Sequence, residues 1–368
     1  MSDITFSASM IVRNEEKFLG GCLESIRDVV DEVVIVDTGS DDRTKEIALD
    51  YGARVFDFPW KGDFASARNE ALKNCRGEWI LYIDADEKLR SIDKSYVSEI
   101  LSDNEKVAYT VMFHPILGYT AYREYRIFRN NPRIRFEGVI HESIFSAIHE
   151  VAREDRLEIG ECDLTIDHLG YEGDLLHKHK RNVSLLRAQI DNDPGRVYLR
   201  WQLGVALKGL GDSAGAEKAW MDAISIVRKK KTLSPDYSLP YYDMIKLHNE
   251  NGKNYSELLK ESLKLFPDNY LIAWTHAMTL MHDHQFDEAL PIFEFLSSIN
   301  PRSVDGEFLA YNARIFDELS YEPLATCYFK LGRLKESEKY YELALQRNPR
   351  NLEYMAKHKL VSALLNKQ

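Results

Sequence analysis

The sequence predicts two domains of different class, an α/β domain built on a doubly wound parallel sheet and then an all-α array of helical repeats. Short aliphatic runs alternate with helical periodicity four times before Asp84, the rhythm of strands connected by crossover helices. Beyond Asp193-Pro194-Gly195 no strand-turn pattern continues. There, small and aromatic residues recur in a fixed frame ahead of a helix-ending proline, and Pro267 and Pro301 stand 34 residues apart, the period of a stacked helix pair. At 368 residues the chain also exceeds what one ordinary core encloses.

The first strand is Phe6 to Val12, with Ser7, Ala8 and Ser9 small enough for close packing. It stops at Arg13-Asn14-Glu15-Glu16, after which Phe18, Leu19, Cys22, Leu23 and Ile26 fall at helical spacing. Glu32 to Val36 is almost wholly aliphatic, as expected of a strand covered on both faces. It ends in the polar turn Asp37 to Asp42, which can also cap the helix Arg43 to Tyr51. Arg54 to Phe58 is the third strand, Pro59 to Phe64 a loop and Ala65 to Asn74 a helix. Trp79 to Ile83 is the fourth strand, and Asp84-Ala85-Asp86 closes it. Further on, Ser91 to Leu101 reads as a surface helix, Val107 to Phe113 as a strand, and the alternating Arg and Tyr of Tyr119 to Pro132 as a hairpin.

In a parallel sheet the segments after these strands share one edge, and open α/β sheets bind their ligands there. Two carboxylates as close as Asp84 and Asp86 repel unless a proton or a cation offsets them. A divalent metal whose oxygen shell is completed by a diphosphate meets that need, and a solvated acidic turn is the alternative. Capping for Asp37 and Asp41, and a surface salt bridge for Arg68, are the structural alternatives at those positions.

Several classes are excluded or disfavoured. No Gly-rich dinucleotide fingerprint follows the first strand, and no phosphate-binding loop is present. A phosphohydrolase Asp-x-Asp pair would be expected after the first strand, with Thr or Val following it. Asp and Glu outnumber Lys and Arg by 59 to 48, a net charge of -11, which argues against nucleic acid and anionic membranes as partners. Cys22, Cys75, Cys162 and Cys327 lack metal-ligand spacing and form no disulfide framework. Neither a signal peptide nor an apolar span is evident, so the expectation is a cytoplasmic protein with no stable membrane insertion.

The blocks Ser9 to Glu16, Glu32 to Thr44, Gly62 to Asn69 and Ile83 to Glu87 resemble the start of family 2 glycosyltransferases, in that family's order and spacing. The resemblance covers residues 5 to 175. It implies the GT-A (Rossmann-like) fold for a nucleotide-sugar domain of residues 1–175, a UDP-sugar donor, Mn2+ or Mg2+, and inversion at the anomeric carbon. On this resemblance Asp37 reads the base edge, and Val12, Arg13, Asn14 and Glu15 form the loop lining the nucleoside. Arg68, with Asn69 nearby, stands beside the base and phosphates. Asp84, Ala85 and Asp86 match the segment that touches ribose and binds the metal on the diphosphate.

Phe136-Glu137-Gly138-Val139-Ile140-His141-Glu142 resembles the acceptor-side segment of members that end this domain in Gly-x-x-His-Glu. Inversion by direct displacement needs a base for the acceptor's proton, and Glu142 is the first candidate, Glu137 the second. A salt bridge to an arginine of the preceding hairpin is the alternative for Glu142. His141 is expected to orient that base or to contact the diphosphate. The run Asp167-His168-Leu169-Gly170-Tyr171 resembles the subgroup's domain end, with His168 completing the metal shell beside Asp84 and Asp86 or covering the phosphates.

Residues 176–195 read as a connecting helix, and residues 196–368 as tetratricopeptide-like (TPR-like) repeats. The frame is carried by Leu203, Gly204, Ala216, Trp220 and Ala223, by Ala277, Ala289, Phe293 and Pro301, and by Ala325, Tyr328, Ser337, Tyr341, Ala344 and Pro349. Tyr241 to Pro267 is a divergent copy, and an insertion around Arg302 to Leu319 separates the last two. Such a surface can grip an extended peptide, build a homodimer or buttress the first domain. The architecture resembles a bacterial subgroup that includes the peptide S-glycosyltransferases of glycosylated bacteriocins (the glycocin type). The expected function is metal-dependent, inverting transfer of a hexose or N-acetylhexosamine from a UDP-sugar to a peptide or protein side chain. Transfer to a saccharide in envelope or lipo-oligosaccharide assembly is the alternative, and a catalytically silent scaffold the third reading.

Overall fold

The computed structural model describes residues 5–115, 118–170, 175–304, 306–307 and 309–367. It divides into two compact units, one of Met1–Leu117 with Tyr122–Gly211, the other of Gly118–Ala121 with Asp212–Gln368.

The first unit is a mixed sheet with helices on both faces. Its strands are β1 (Phe6–Val12), β2 (Glu32–Asp37), β3 (Arg54–Asp57), β4 (Trp79–Tyr82), β5 (Glu87–Leu89), β6 (Lys106–His114), β7 (Tyr122–Arg129) and β8 (Glu158–His168). Its helices are α1 (Leu19–Ile26), α2 (Thr44–Asp50), α3 (Phe64–Asn74), α4 (Lys94–Leu101), α5 (Phe145–Asp155), α6 (Leu175–Asn192) and α7 (Val197–Gly209). The strands run in the order β3-β2-β1-β4-β7-β6-β8-β5. β3, β2, β1 and β4 are parallel, with Val12 paired to Asp37 and Ser9 to Tyr82. The segments after β1, β2 and β4 therefore share one edge, as the sequence predicts. Alternation along β4 feeds both layers. Trp79, Leu81 and Ile83 pack in one core with α1 and α4, while Ile80 joins Ala65, Leu72, Ile148 and Val151 in the other.

The expected hairpin of Tyr119 to Pro132 is instead one central strand, β7, antiparallel to both β4 and β6. Its arginines are consumed by the sheet around them. Arg129, for instance, donates to the carbonyls of Lys106 and Asp103 at 2.9 Å each. β8 went unread although Gly160, Cys162, Leu164 and Ile166 are buried at alternate positions. β5, at three residues, carries too short a pattern to signal a strand. The first unit also continues through α6 to Gly211, because Leu186 of α6 shares a core with Leu199 and Ala206 of α7 and with Ile140. The divide thus falls beyond residues 175 and 195.

The second unit holds α8 (Ser213–Val227), α9 (Leu239–Glu250), α10 (Ser256–Leu265), α11 (Tyr270–His282), α12 (Phe286–Ser298), α13 (Glu318–Lys330), α14 (Leu334–Arg347) and α15 (Leu352–Leu365). The frame residues Ala216, Ala223, Ala277, Ala289, Ala325 and Ala344 are all fully buried, where neighbouring helices approach most closely. The insertion between α12 and α13 builds a small core of Val304, Leu309, Tyr311, Ile315 and Phe316. The distant segment Gly118–Ala121 joins it. Thr120 N donates to Tyr311 O at 2.8 Å, and Tyr311 N donates to Thr120 Oγ1 at 2.9 Å. Among the described residues no helix is long and apolar enough to cross a membrane.

Candidate active site

The loop after β1 is knitted to the loop after β2. Asn14 adopts a left-handed conformation (φ 57°); its backbone N–H donates to Ser40 Oγ at 2.9 Å and its side-chain Oδ1 accepts from Asp41 N at 2.9 Å. Glu15 N donates to Thr44 Oγ1 at 2.7 Å. Just ahead of α2, Asp42 Oδ1 accepts from Thr44 N at 2.9 Å, and the helix has no side-chain cap. Asp37 is 1% exposed, and its Oδ1 accepts from Gly39 N and Ser40 N at 2.9 and 2.8 Å. Its Oδ2 is buried with no hydrogen-bond partner among the described residues. A buried carboxylate oxygen left in that state costs free energy, so it marks a place for a donor from outside the chain. Val12 and Ala85 point into the core, and only their backbones border the edge.

Asp84 and Asp86 sit at the C-terminal end of β4, as expected, but they are partnered differently. Arg68 on α3 reaches Asp84 Oδ1 from Nη2 at 2.9 Å and donates Nε to Glu142 Oε1 at 2.5 Å. Helix α3 is held for this by its N-cap, Asp63, whose Oδ1 accepts from Ser66 N at 2.9 Å, a contact worth about 1 kcal/mol. Burial opposes the Arg68 charge, but Asp84 and Glu142 outweigh it and keep the guanidinium protonated. Asp86 Oδ2 lies 3.1 Å from His168 Nε2 on β8. That hydrogen bond raises the imidazole's pKa above its ordinary value; in return, although burial pushes Asp86 up, His168 holds it below the usual carboxylate range. Leu169 N also donates to Asp86 O at 2.8 Å; Tyr171, the end of that motif, lies outside the described residues.

Glu15 completes an acidic group. Burial first, then the charges of Asp86, Asp84 and Asp42, push its carboxyl up to about 7, against the pull of Lys178. Among the described residues no group of three or more His, Cys, Asp or Glu has metal-holding geometry. A cation here therefore fits only as one carried with a ligand that brings most of the oxygens, with Asp86 and His168 as the protein's share. The repulsion that raises Glu15 is relieved by a proton or by such a cation.

Beneath the Asp84-Ala85-Asp86 turn lies a buried ion-pair network that sequence reasoning missed. Glu87 (2% exposed) accepts from Arg126 (4% exposed) at both oxygens, 2.8 and 3.1 Å, and from Asp84 N at 2.8 Å. Arg126 also donates to Glu124 Oε2 at 2.8 Å and lies 4.3 Å over the Tyr82 ring. Glu87 adjoins the acidic motif and Arg126 lies in the Arg/Tyr run, so both signals existed without indicating a pair.

The candidate acceptor segment is a tight hairpin in which Glu137 and Ser143 exchange amide hydrogen bonds at 3.0 Å. Gly138 adopts φ 101°, and a Cβ there would stand 2.8 Å from Gln189 Nε2 of α6. The structure brings Glu142 to Arg68 and Asp84. Glu137 is exposed and borders a cleft of about 370 Å3 along Asp63, Ser66 and Asn192. Asn69 is committed to Phe136, bonding its carbonyl at 2.9 Å and its amide at 2.8 Å.

His141 is largely buried, its Nε2 without a partner among the described residues, and Arg196 donates to its carbonyl at 3.1 Å. Burial, then the charges of Arg196 and Arg181, lower its pKa to about 4. The folded value lies below the unfolded one, so the unfolded chain binds more protons and stability falls as pH drops below about 6.5. His141→Asn, which tolerates the left-handed backbone, is expected to lose about 2 kcal/mol less stability than wild type between pH 7 and pH 5. Denaturant melts at the two pH values check this; parallel losses in the two proteins would contradict it.

Comparison with known proteins shows what two segments of the chain resemble. Residues 7–150 match the model of glycosyl transferase family 2, and residues 324–351 that of a tetratricopeptide repeat. The chain carries a family 2 glycosyl transferase domain. This family 2 domain contains β1 to β7 and most of α5, and with them every residue of the edge except His168. A TPR repeat-containing protein of Synechococcus elongatus is 35% identical over 223 residues, which are 58% of this chain and 55% of that one. The SPbeta prophage-derived glycosyltransferase SunS of Bacillus subtilis is 27% identical over 205 residues, 52% of this chain and 46% of that one. The lipopolysaccharide core biosynthesis glycosyltransferase LpsC of Rhizobium meliloti is 33% identical over 154 residues, 40% of this chain and 56% of that one. The chain thus spans about half the length of these curated relatives.

Proposed function

We propose that the chain is a metal-dependent, inverting glycosyltransferase that moves a hexose or N-acetylhexosamine from a UDP-sugar to a peptide or protein side chain. The observation that carries this is the convergence, on one sheet edge of a family 2 domain, of the unpartnered Asp37 Oδ2, the acids Glu15, Asp84 and Asp86, and the Arg68–Glu142 pair. In this reading Asp37 Oδ2 accepts the ring N–H of the base, and the β1 loop borders the nucleoside. Asp86 and His168 hold a divalent cation, Mn2+ or Mg2+, which when bound offsets the charge that builds on the departing diphosphate. Glu142 takes the acceptor's proton as the new bond to the anomeric carbon forms and the bond to the diphosphate breaks. Arg68 takes only Oε1 of Glu142 and ties that base to Asp84, so base and donor are set by one guanidinium.

The helical repeats of the second unit support a peptide or protein as acceptor, since stacked helix pairs offer an extended groove; they also suit homodimerisation. The similarity to a lipopolysaccharide core enzyme favours a saccharide acceptor as the second reading. Incubating the full-length chain with manganese and a panel of UDP-sugars, first alone and then with peptide and oligosaccharide mixtures, tests both. Hydrolysis or transfer of at least one donor is expected, with the sugar found on peptide. Transfer to oligosaccharide alone would replace the first reading by the second, and no turnover of any donor would remove the enzyme reading.

A further inference from the structure

Helix α6 reads in the sequence as a connector, yet it carries basic side chains along the sheet edge. Leu185 packs over Gly62, its Cδ2 3.7 Å from where a Cβ would stand. One turn earlier the Arg181 guanidinium lies 5.4 Å over the Phe64 ring. Lys178, three residues before Arg181, falls on the same stripe of the helix. Its charge bears on Glu15 of the β1 loop. The helix thus passes from the start of α3 towards the β1 loop. From the β1 loop Arg13 faces it, close enough for its charge to weigh against that of Arg181.

These cations lack conventional partners. Arg181 donates from Nε and Nη2 to the neutral Asn182 Oδ1 at 3.1 and 3.0 Å. Arg13 and Lys178 make no hydrogen bond or ion pair with a described residue. Arg13 and Arg181 repel each other, and an anion between them removes the cost. His141 Nε2, buried and unpartnered, feels Arg181 as well.

We propose that Lys178 and Arg181 of α6, with Arg13 of the β1 loop, bind the diphosphate of the donor while Asp37 takes its base. The inference rests on the nucleotide-sugar reading above, and it extends the donor site to a helix beyond the residues 7–150 that match the family 2 model. The chemistry suits each residue. Arg presents a planar fork that matches phosphate oxygens, and Lys a mobile point charge that follows them.

Isothermal titration of the full-length chain with UDP, GDP and uridine in the presence of manganese tests this, comparing wild type with Lys178→Ala/Arg181→Ala. Both side chains are exposed, so an unchanged melting temperature is the control for folding. The double variant is expected to bind UDP about tenfold or more weakly, to bind uridine as wild type does, and to show a shallower salt dependence. Equal UDP affinity in the two proteins would overturn this inference alone, as would an equal loss for UDP and uridine. A wild type that binds neither diphosphate would overturn the donor reading, and this inference with it.

Discussion

Asp86→Ala is expected to lower sugar-nucleotide turnover by about 10²–10³-fold while leaving the melting temperature nearly unchanged. The two effects separate because Asp86 has little to do in the fold. Its carboxylate is partly exposed and among the described residues meets only the side chain of His168, a pair of the kind worth about 0–1 kcal/mol to stability. In the proposed reaction, by contrast, it is one of two protein groups holding the cation that offsets the leaving diphosphate. Asp86→Asn keeps the shape and a hydrogen bond to His168 but removes the charge, so it should lose nearly as much activity as the alanine variant. Turnover is followed by release of free UDP with manganese present. Wild-type rates in either variant would remove the metal role from this residue.

Arg126→Met is expected to cost about 3–5 kcal/mol of stability, the largest loss at any single position considered. Arg126 makes two hydrogen bonds to Glu87 and two to Glu124, and it is packed against the rings of Tyr82 and Phe113. Methionine recovers much of the packing but leaves Glu87 buried with only the amide of Asp84 as a partner. Burial then dominates and the carboxyl takes up a proton. Because breaking one half of a buried pair costs more than removing both, Arg126→Met/Glu87→Gln should recover more than half of the loss. Urea melts of the single and double variants measure this, and losses that simply add would show that the two residues do not act as a pair. Glu87 also fixes the peptide of Asp84, so the double variant is expected to bind donor more weakly than its recovered stability suggests.

Much of the acidic sheet edge is legible in the sequence. Asp37, Asp84 and Asp86 end apolar runs whose parallel pairing follows from their strand-helix alternation, so their convergence needs only the handedness and order of such sheets. The repeat frame was equally plain, because a helix pair that stacks closely must place Ala or Gly at fixed positions, as at Ala277 and Ala289. What could not be read is who partners whom. Arg68 bridges two acids 16 and 74 residues away. Glu137 and Glu142 are alike in sequence, and the hairpin between them sends one to Arg68 and leaves the other exposed. Residue type announces a charge; its counter-charge depends on a separation in space that no spacing along the chain encodes.

The sequence by itself determined that an α/β domain with an acidic sheet edge precedes a helical repeat array, since periodicity and strand-end chemistry are local properties. Tertiary structure alone decided that Glu87 and Arg126 hold the Asp84-Ala85-Asp86 turn from beneath, that α6 lends Lys178 and Arg181 to the edge, and that Gly118–Ala121 belongs to the second unit through Thr120 and Tyr311. The first and third depend on pairing polar groups far apart in the chain, which burial forces to find one another; the second depends on apolar packing, that of Leu186 with Ile140 and Leu199.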